Sequence, residues 1–370
     1  MLGELILITG VTGHIGFAVL IHALKAGNNV RCAVRSQAKA DVIRFHPRIY
    51  DLKLPRSRLT FSIVPDITVD GAYNDAMHNA SAVIHIASPA PTANPIPYEL
   101  HQSHFIQPAV YGTLNILRAA KRTSTVRRII FTSSVVALVT LDQLEGRERR
   151  ETPVRPDERN NHISSSSTSM FAAYARSKVA ALWHAEVWMA AERPHFDAVY
   201  LHPSFVIGRN DIAKTCTDVM KGSNAIVLAT VCGKKFGCSY LGAAVHINDV
   251  ARIHVQALLP SIPGNSSYVL STRVRWNDAK LIAKRNFIEA VECGIVSKSG
   301  SVGTVNLDFD ASITENVFGM KLLSFEDQVM SALSQYIEMR KMRSAVSSPS
   351  SSSAGLTTGI GQHIQLDQPK

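Results

Sequence analysis

Tyr174 and Lys178 stand four residues apart, so on a helix a phenol and an ammonium project from the same face. A phenol with an ordinary pKa of about 10 exchanges protons poorly near neutrality. A neighbouring ammonium stabilises the phenolate and moves that pKa down. Such a pair can pass a proton to or from an oxygen on a carbonyl or alcohol carbon. Ser134, just beyond the apolar run Arg128-Ile-Ile-Phe-Thr132, can donate a hydrogen bond to that oxygen and hold it. Spacing alone proves little, because nine tyrosines in 370 residues make a chance Tyr-x-x-x-Lys common. Place adds weight. The pair opens a helical segment (Ala172 to Glu192) that leads into the apolar run Asp197-Ala-Val-Tyr-Leu201.

A second constellation is Thr9-Gly-Val-Thr-Gly-His-Ile-Gly16. Gly10 and Gly13 permit a tight turn and close approach of backbone to a pyrophosphate, and Gly16 lets the following helix pack on the sheet. Thr12, His14 and Ile15 fill the loop between them. Glycine-rich loops are common; here the strand before (Leu5 to Thr9) and the helix after (His14 to Ala26) supply the required context. The loop therefore predicts a dinucleotide. Where the second strand (Val30 to Val34) ends, an NAD site usually offers an acid to the ribose. Arg35, Ser36 and Lys39 stand here instead, which suits a 2′-phosphate and so NADP(H). The same residues would also serve as a solvated helix start. Asp66 and Ile67, after the third strand (Leu59 to Val64), and Ala87 and Ser88, at the end of the fourth (Ala82 to Ala87), read on their own as turn and loop residues.

The elements that must position these groups alternate strand and helix. Strands at Leu5, Val30, Leu59, Ala82, Arg128 and Asp197 are separated by helical segments, notably Thr113 to Arg122. That alternation predicts an α/β doubly wound parallel sheet (Rossmann) covered on both faces, with a smaller, irregular C-terminal substrate-covering region. The expected division is 1–205 for the dinucleotide-binding domain, with 245–272 returning to it, and 206–343 for the covering region. His246 to Leu259 reads as a strand end and helix, and Phe325 to Met339 as an amphipathic helix. A serine-rich, low-complexity tail at 344–370 is expected to be disordered.

Composition excludes several classes. The chain is 46% hydrophobic and 18% charged, which is ordinary for a globular enzyme. A net charge of +10 invites nucleic acid, but the basic residues are scattered, and the densest run, Arg147-Glu-Arg-Arg150, reads as a solvated loop. Part of that charge can attract a polyanionic cofactor. Five cysteines at irregular spacing, without C-x-x-C, argue against disulfides and structural zinc. His101 with His104, and His246 with His254, lack ligand partners at metal spacing. No apolar run approaches the ~20 residues of a membrane span. No secretory leader is read at the start. The expectation is a cytosolic protein with a small-molecule partner, no metal, no nucleic acid and no membrane, and either monomeric or homodimeric.

Taken together, these segments resemble the extended short-chain dehydrogenases/reductases. They are most similar to the group of dihydroflavonol reductases, cinnamoyl-CoA reductases and fungal carbonyl (aldehyde or methylglyoxal) reductases. The likeness spans about residues 4–340. It rests on the glycine loop, Val34-Arg-Ser36, Val64-Pro-Asp-Ile67, His85-Ile-Ala-Ser-Pro89, Pro108-Ala-Val-Tyr-Gly-Thr-Leu-Asn115, Phe131-Thr-Ser-Ser134, Tyr174-Ala-Arg-Ser-Lys178, His202-Pro-Ser-Phe-Val-Ile-Gly208 and Val245-His-Ile-Asn-Asp-Val250. The resemblance implies a Ser134-Tyr174-Lys178 triad and hydride delivery to a carbonyl carbon while Tyr174 protonates the oxygen. It further implies Arg35 and Lys39 at the 2′-phosphate, and Asp66 and Ile67 at the adenine. Ala87 and Ser88 would lie by the nicotinamide ribose, with Lys178 hydrogen-bonded to it. The backbone around Pro203, Phe205 and Val206 would lie by the carboxamide. Two departures stand out. The stretch between Leu141 and Met170 is loop-like and ends in Ser164-Ser-Ser-Ser-Thr-Ser169. Tyr111 stands where relatives often carry asparagine.

Two other functions compete. A sugar-nucleotide epimerase or dehydratase would share the loop and the triad, but a dehydratase usually places an acid after the serine, where this chain has Val135 and Val136. A non-catalytic NADP-binding redox regulator would keep the glycines and commonly lose the tyrosine–lysine pair.

Overall fold

Twelve strands carry the architecture: β1 Leu5–Thr9, β2 Asn29–Val34, β3 Leu59–Ile63, β4 Ala82–His85, β5 Arg128–Thr132, β6 Asp197–Pro203, β7 Phe205–Ile207, β8 Lys235–Leu241, β9 Ala243–His246, β10 Ser266–Leu270, β11 Thr272–Arg273 and β12 Ser301–Val305. They belong to a computed structural model that describes residues 3–91, 94–160, 168–297 and 299–347, with side chains described as far as 342. The main sheet has seven strands in the order β3-β2-β1-β4-β5-β6-β10, each parallel to its neighbours. The expected doubly wound sheet is present. Strand order reverses between β1 and β4, and the crevice at their carboxyl ends is where such sheets bind ligands.

Burial explains the strand sequences. With period-two alternation, Leu7, Val83 and Ile129 face one side, under helices Gln107–Lys121 and Met170–Glu192. Ile6, Ile8, Ile84 and Ile130 face the other, under helices His14–Lys25 and Ile247–Gln256. Strands buried on both faces read as continuous apolar runs, which is why all six were legible to within about two residues. The sixth, read as ending at Leu201, extends to Pro203.

Later elements depart more from expectation. β9 joins β7 and β11 in a separate three-stranded sheet, and β8 pairs β12. The seventh strand of the main sheet is β10, which pairs β6 with Ser266 opposite Val199. A third apolar cluster, centred on Trp276, Val227 and Leu333, fills the C-terminal region. Its long helix, Phe325–Ser347, starts at a reciprocal cap: Ser324 Oγ accepts from the Asp327 amide, and Asp327 accepts from the Ser324 amide. This helix runs past the expected end at Met339, so 344–347 are helical rather than part of a disordered tail. The remainder of that tail lies outside the described residues.

Residues 141–160 are more ordered than their loop-like sequence suggests. Thr140 and Gln143 form a capping box for a short helix, and Val154 is fully buried and bridges to Phe309. Arg150, read as part of a solvated run, makes a paired ion pair with Glu158 at 2.6 and 2.7 Å. Most of the serine run, residues 164–167, lies outside the described residues.

Candidate active site

The glycine loop is shaped by contacts that leave no room for side chains. Gly10 has φ +76°, and a Cβ there would sit 2.8 Å from the Ala87 amide nitrogen. A Cβ on Gly16 would sit 2.1 Å from the Gly10 carbonyl oxygen. Gly13 differs: its Cβ would meet only that same oxygen, at 3.5 Å, and it is exposed. Two glycines therefore let the loop close on itself, and the third presents open backbone at the start of helix His14–Lys25, where a phosphate fits. Thr12, His14 and Ile15 are half-buried. Thr9 Oγ1 accepts from the Ile86 and Ala87 amides at 3.0 Å each, tying the end of β1 to the turn after β4.

Arg35, Ser36 and Lys39 are exposed where β2 gives way to helix Gln37–Arg44. Ser36 caps that helix through the Lys39 amide. Asp66 accepts from the Thr68 side chain at 2.7 Å and its amide at 2.8 Å. These bonds, with the charge of nearby Arg35, hold its carboxyl below the usual range. Ile67 packs against Gly112, where a Cβ would approach it to 2.8 Å. The loop has a clamp that the sequence reading did not assign: Asn115 Nδ2 donates to the Ile67 and Val69 carbonyls at 2.9 and 2.8 Å. A buried polar residue on the apolar face of helix Gln107–Lys121 was the available signal.

The structure brings Ser134, Tyr174 and Lys178 together at the carboxyl edge of the sheet. Ser134 follows β5, accepts from the Val136 amide at 3.3 Å and lies 3.4 Å from the Pro203 carbonyl. Helix Met170–Glu192, capped by Ser169, carries the other two. Lys178 Nζ lies 5.9 Å from the centre of the Tyr174 ring and donates to the Thr132 carbonyl at 3.1 Å. Burial pushes the Tyr174 phenol up to about 12, partly offset by a hydrogen bond with Ser134. It pushes Lys178 down to about 8. This differs from the phenol acidified by its ammonium that the spacing suggested. Desolvation of the phenolate outweighs the opposing hydrogen bond from Ser134, so Tyr174 rests protonated.

The supporting shell includes two histidines with fixed tautomers. His254 Nδ1 donates to the Val250 carbonyl at 2.7 Å, so its Nε2 accepts from Thr132 Oγ1 at 2.8 Å, with burial holding its pKa near about 4. This aligns Thr132, whose carbonyl holds Lys178. His85, at the end of β4, contacts Thr9 Oγ1 through Nδ1 at 3.0 Å. Ala87 and Ser88 are half-buried and line a cavity with His85 and Lys178. Pro203 is buried beside Ser134. The side chains of its successors turn into packing: Phe205 meets Trp276 edge-on at 5.6 Å, and Val206 lies in the apolar cluster under helix His14–Lys25. Tyr111 is 46% exposed and is not among the residues lining the cavity, which Thr113 two positions on does line.

A strap at 208–211 lies against the glycine loop. Asn224 grips Gly208 (φ +140°) by both its amide and its carbonyl, at 3.0 and 2.7 Å. The Arg209 amide donates to Ser331 Oγ at 3.0 Å, and Gln335 bonds both the amide and carbonyl of Asn210. On the opposite flank His14 Nε2 donates to the Arg209 carbonyl at 3.1 Å, and His46 and Arg48 bind Asp211.

Residues 6–270 match the model of the NAD dependent epimerase/dehydratase family. The chain belongs to this family. Among its members, the ketoreductase CTB6 of Cercospora nicotianae is 37% identical over 348 residues, covering 92% of this chain and 96% of that protein. The NAD-dependent epimerase/dehydratase ALT6 of Alternaria alternata is 34% identical over 347 residues, 89% of this chain and 96% of the relative. The fold of this epimerase/dehydratase family member superimposes on yeast methylglyoxal/isovaleraldehyde reductase Gre2, crystallised with NADPH, at a TM-score of 0.74 and 19% identity, covering 91% and 99% of the two chains. The resemblance to extended dehydrogenases/reductases read from the motifs agrees with that membership. Among the described residues no group of histidine, cysteine or carboxylate side chains could hold a metal, and no helix is long and apolar enough to cross a membrane.

Proposed function

We propose that this chain is an NADPH-dependent reductase of a small ketone or aldehyde, with Ser134, Tyr174 and Lys178 at the reacting oxygen. The observation that carries the reading is the pair of buried Lys178 and half-buried Tyr174, with Ser134 hydrogen-bonded to the phenol, at the same sheet edge as the open backbone of Gly13. Ser134 holds the carbonyl oxygen. Tyr174, protonated at rest, donates its proton as negative charge develops there. Lys178 stabilises the phenolate left behind and anchors the nicotinamide ribose. Bound NADPH supplies the hydride.

The residues fit that coenzyme. Gly10, Thr12, Gly13, His14, Ile15 and Gly16 would surround the pyrophosphate, and Ala87 and Ser88 the nicotinamide ribose. Pro203, Phe205 and Val206 would lie at the carboxamide, and Asp66 and Ile67 at the adenine. Arg35 and Lys39, at a capped helix start without an acid on β2, favour NADP(H) over NAD. Likeness to proteins named as ketoreductases and the buried Val135 and Val136 after Ser134 favour reduction over sugar-nucleotide chemistry. A specialised, secondary-metabolite ketone and a reducing, cytosolic setting complete the reading, the latter supported by five free cysteines.

The test is a panel of aldehydes and ketones with NADPH and NADH, followed by loss of reduced-nicotinamide absorbance. Turnover with NADPH, faster than with NADH and abolished in Tyr174→Phe, is expected. Turnover unchanged in Tyr174→Phe rejects the assignment.

A further inference from the structure

A cavity of about 30 Å³ lies beside Lys178, lined among others by His85, Thr113, Thr132 and Ser133. That volume admits one or two waters where about 10–15 Å³ suffices for each. Its walls are mixed: Phe131 and Leu182 are apolar, while the His85, Thr113, Ser133 and Lys178 side chains supply the polar partners a water needs. The Ser133 hydroxyl, in particular, is buried without a hydrogen-bond partner among the described residues.

The hydrogen bonding around Thr9 decides what His85 offers to this space. Thr9 Oγ1 has one hydrogen and two lone pairs, and the Ile86 and Ala87 amides occupy the lone pairs. Its hydrogen therefore goes to His85 Nδ1, 3.0 Å away. An accepting Nδ1 leaves the proton of a neutral imidazole on Nε2. The ring is neutral, because burial pushes it down to about 3, with the Lys178 charge adding to the shift. Nor can it swing. Tyr73 and Phe131 flank it edge-on, with centroids at 6.1 and 5.9 Å.

Lys178 poses the complementary problem. Its ammonium has three N–H donors in a buried site; the Thr132 carbonyl takes one and, on the reading above, the nicotinamide ribose another. An oxygen at the third favours the charged form. We propose that His85 is a positioning residue, its Nε2–H fixing a water in this cavity that also accepts from Lys178 Nζ and so keeps the lysine charged during carbonyl reduction. The proposal rests on the reductase reading for its kinetic test but not for its crystallographic one.

Other titratable groups near the pair are silent across neutral pH. On β6, His202 is pushed down to about 3, while burial raises Tyr200, which is also within reach of the Arg159–Glu186 ion pair. Behind Thr132, His254 is held near about 4, and on Lys178's own helix Tyr174 is near about 12. Burial also raises Tyr73, against a small opposing effect of Arg35. Lys178 is left as the group that titrates between them.

The experiment measures kcat/KM for reduction against pH in the wild type, His85→Phe, His85→Gln and Thr113→Leu, with NADPH affinity from fluorescence titration. Wild-type activity is expected to fall as pH rises through the Lys178 midpoint, which the bound water holds above the value of about 8 that burial alone sets. His85→Phe removes the donor, and Thr113→Leu fills the cavity with hydrocarbon. Each should move that midpoint down by about half to one unit, with NADPH affinity kept. His85→Gln, which retains a donor, should lie near wild type. An unmoved midpoint in both His85→Phe and Thr113→Leu overturns the proposal, as does a glutamine variant displaced as far as phenylalanine. If His85→Phe does not fold, Thr113→Leu alone decides. A crystal structure of the NADPH complex should show a water within about 3.2 Å of both His85 Nε2 and Lys178 Nζ. A cavity without that water refutes the proposal whether or not any carbonyl is reduced. A wild type that reduces nothing while the water is present fails the reductase reading alone.

Discussion

Burial acts on the two groups of the reacting pair in opposite chemical senses, holding a proton on Tyr174 and weakening the hold of Lys178 on its own. A protonated phenol beside a serine is the resting state a carbonyl reductase needs. Tyr174→Phe should therefore lower kcat/KM by about 10²–10⁴-fold while leaving NADPH affinity within a factor of about two, measured by steady-state kinetics and fluorescence titration. Arg35→Glu should act in the reverse way. It places an acid beside Asp66 at the proposed 2′-phosphate position, so NADPH affinity should fall about tenfold or more while NADH affinity changes little. Equal loss for both coenzymes would remove Arg35 from the phosphate site. The pair itself was legible in sequence because helical spacing fixes which residues share a face. The direction of the phenol's shift was not, since it depends on how deeply tertiary packing buries the ring. The same limit hid His85, Asn115 and His254, whose roles exist only through partners 30 or more positions away.

Among the elements, the turn after β1 is held by atoms rather than by sequence preference. A methyl group at Gly16 would overlap the Gly10 carbonyl, so Gly16→Ala should destabilise the protein by about 1–3 kcal/mol and weaken coenzyme binding. A thermal melt with and without NADPH reads both, and an unchanged melt would show that the loop can relax. Asn115→Ala should lower the melting temperature too, because two loop carbonyls lose their donor. Strands of the main sheet were readable because burial on both faces writes unbroken apolar runs. The short strands β7 and β11 were not, and of β9 only its end at His246 was read, because their pairing is set by long-range closure rather than by any local period. Helix Met170–Glu192 was found almost whole, although its capping Ser169 ended a run that read as loop.

For the molecule as a whole, four histidines are held neutral by desolvation: buried His85 and His202 at about 3, buried His254 at about 4 and half-buried His14 at about 4. In the unfolded chain each takes a proton near about 6.5. Below that pH the unfolded state binds more protons than the folded one, so the stability they permit is present above about 6.5 and is lost as pH falls towards their folded values. Urea midpoints at about pH 7.5 and about pH 5.5 should differ, by up to about 1.4 kcal/mol of stability per histidine, with the acidic sample weaker. Equal midpoints would mean these rings are charged or solvated when folded. The strap at 208–211 carries a different implication. One of its flanks is gripped by His14 at the nucleotide loop, and the other by Ser331 and Gln335 on the final long helix. On the proposed reading that distant helix is a latch on the coenzyme groove, tied through the strap to His14. A shortened version that removes Gln335 should still form the sheet but hold its dinucleotide loosely, whereas one cut after Ser347 should keep its grip.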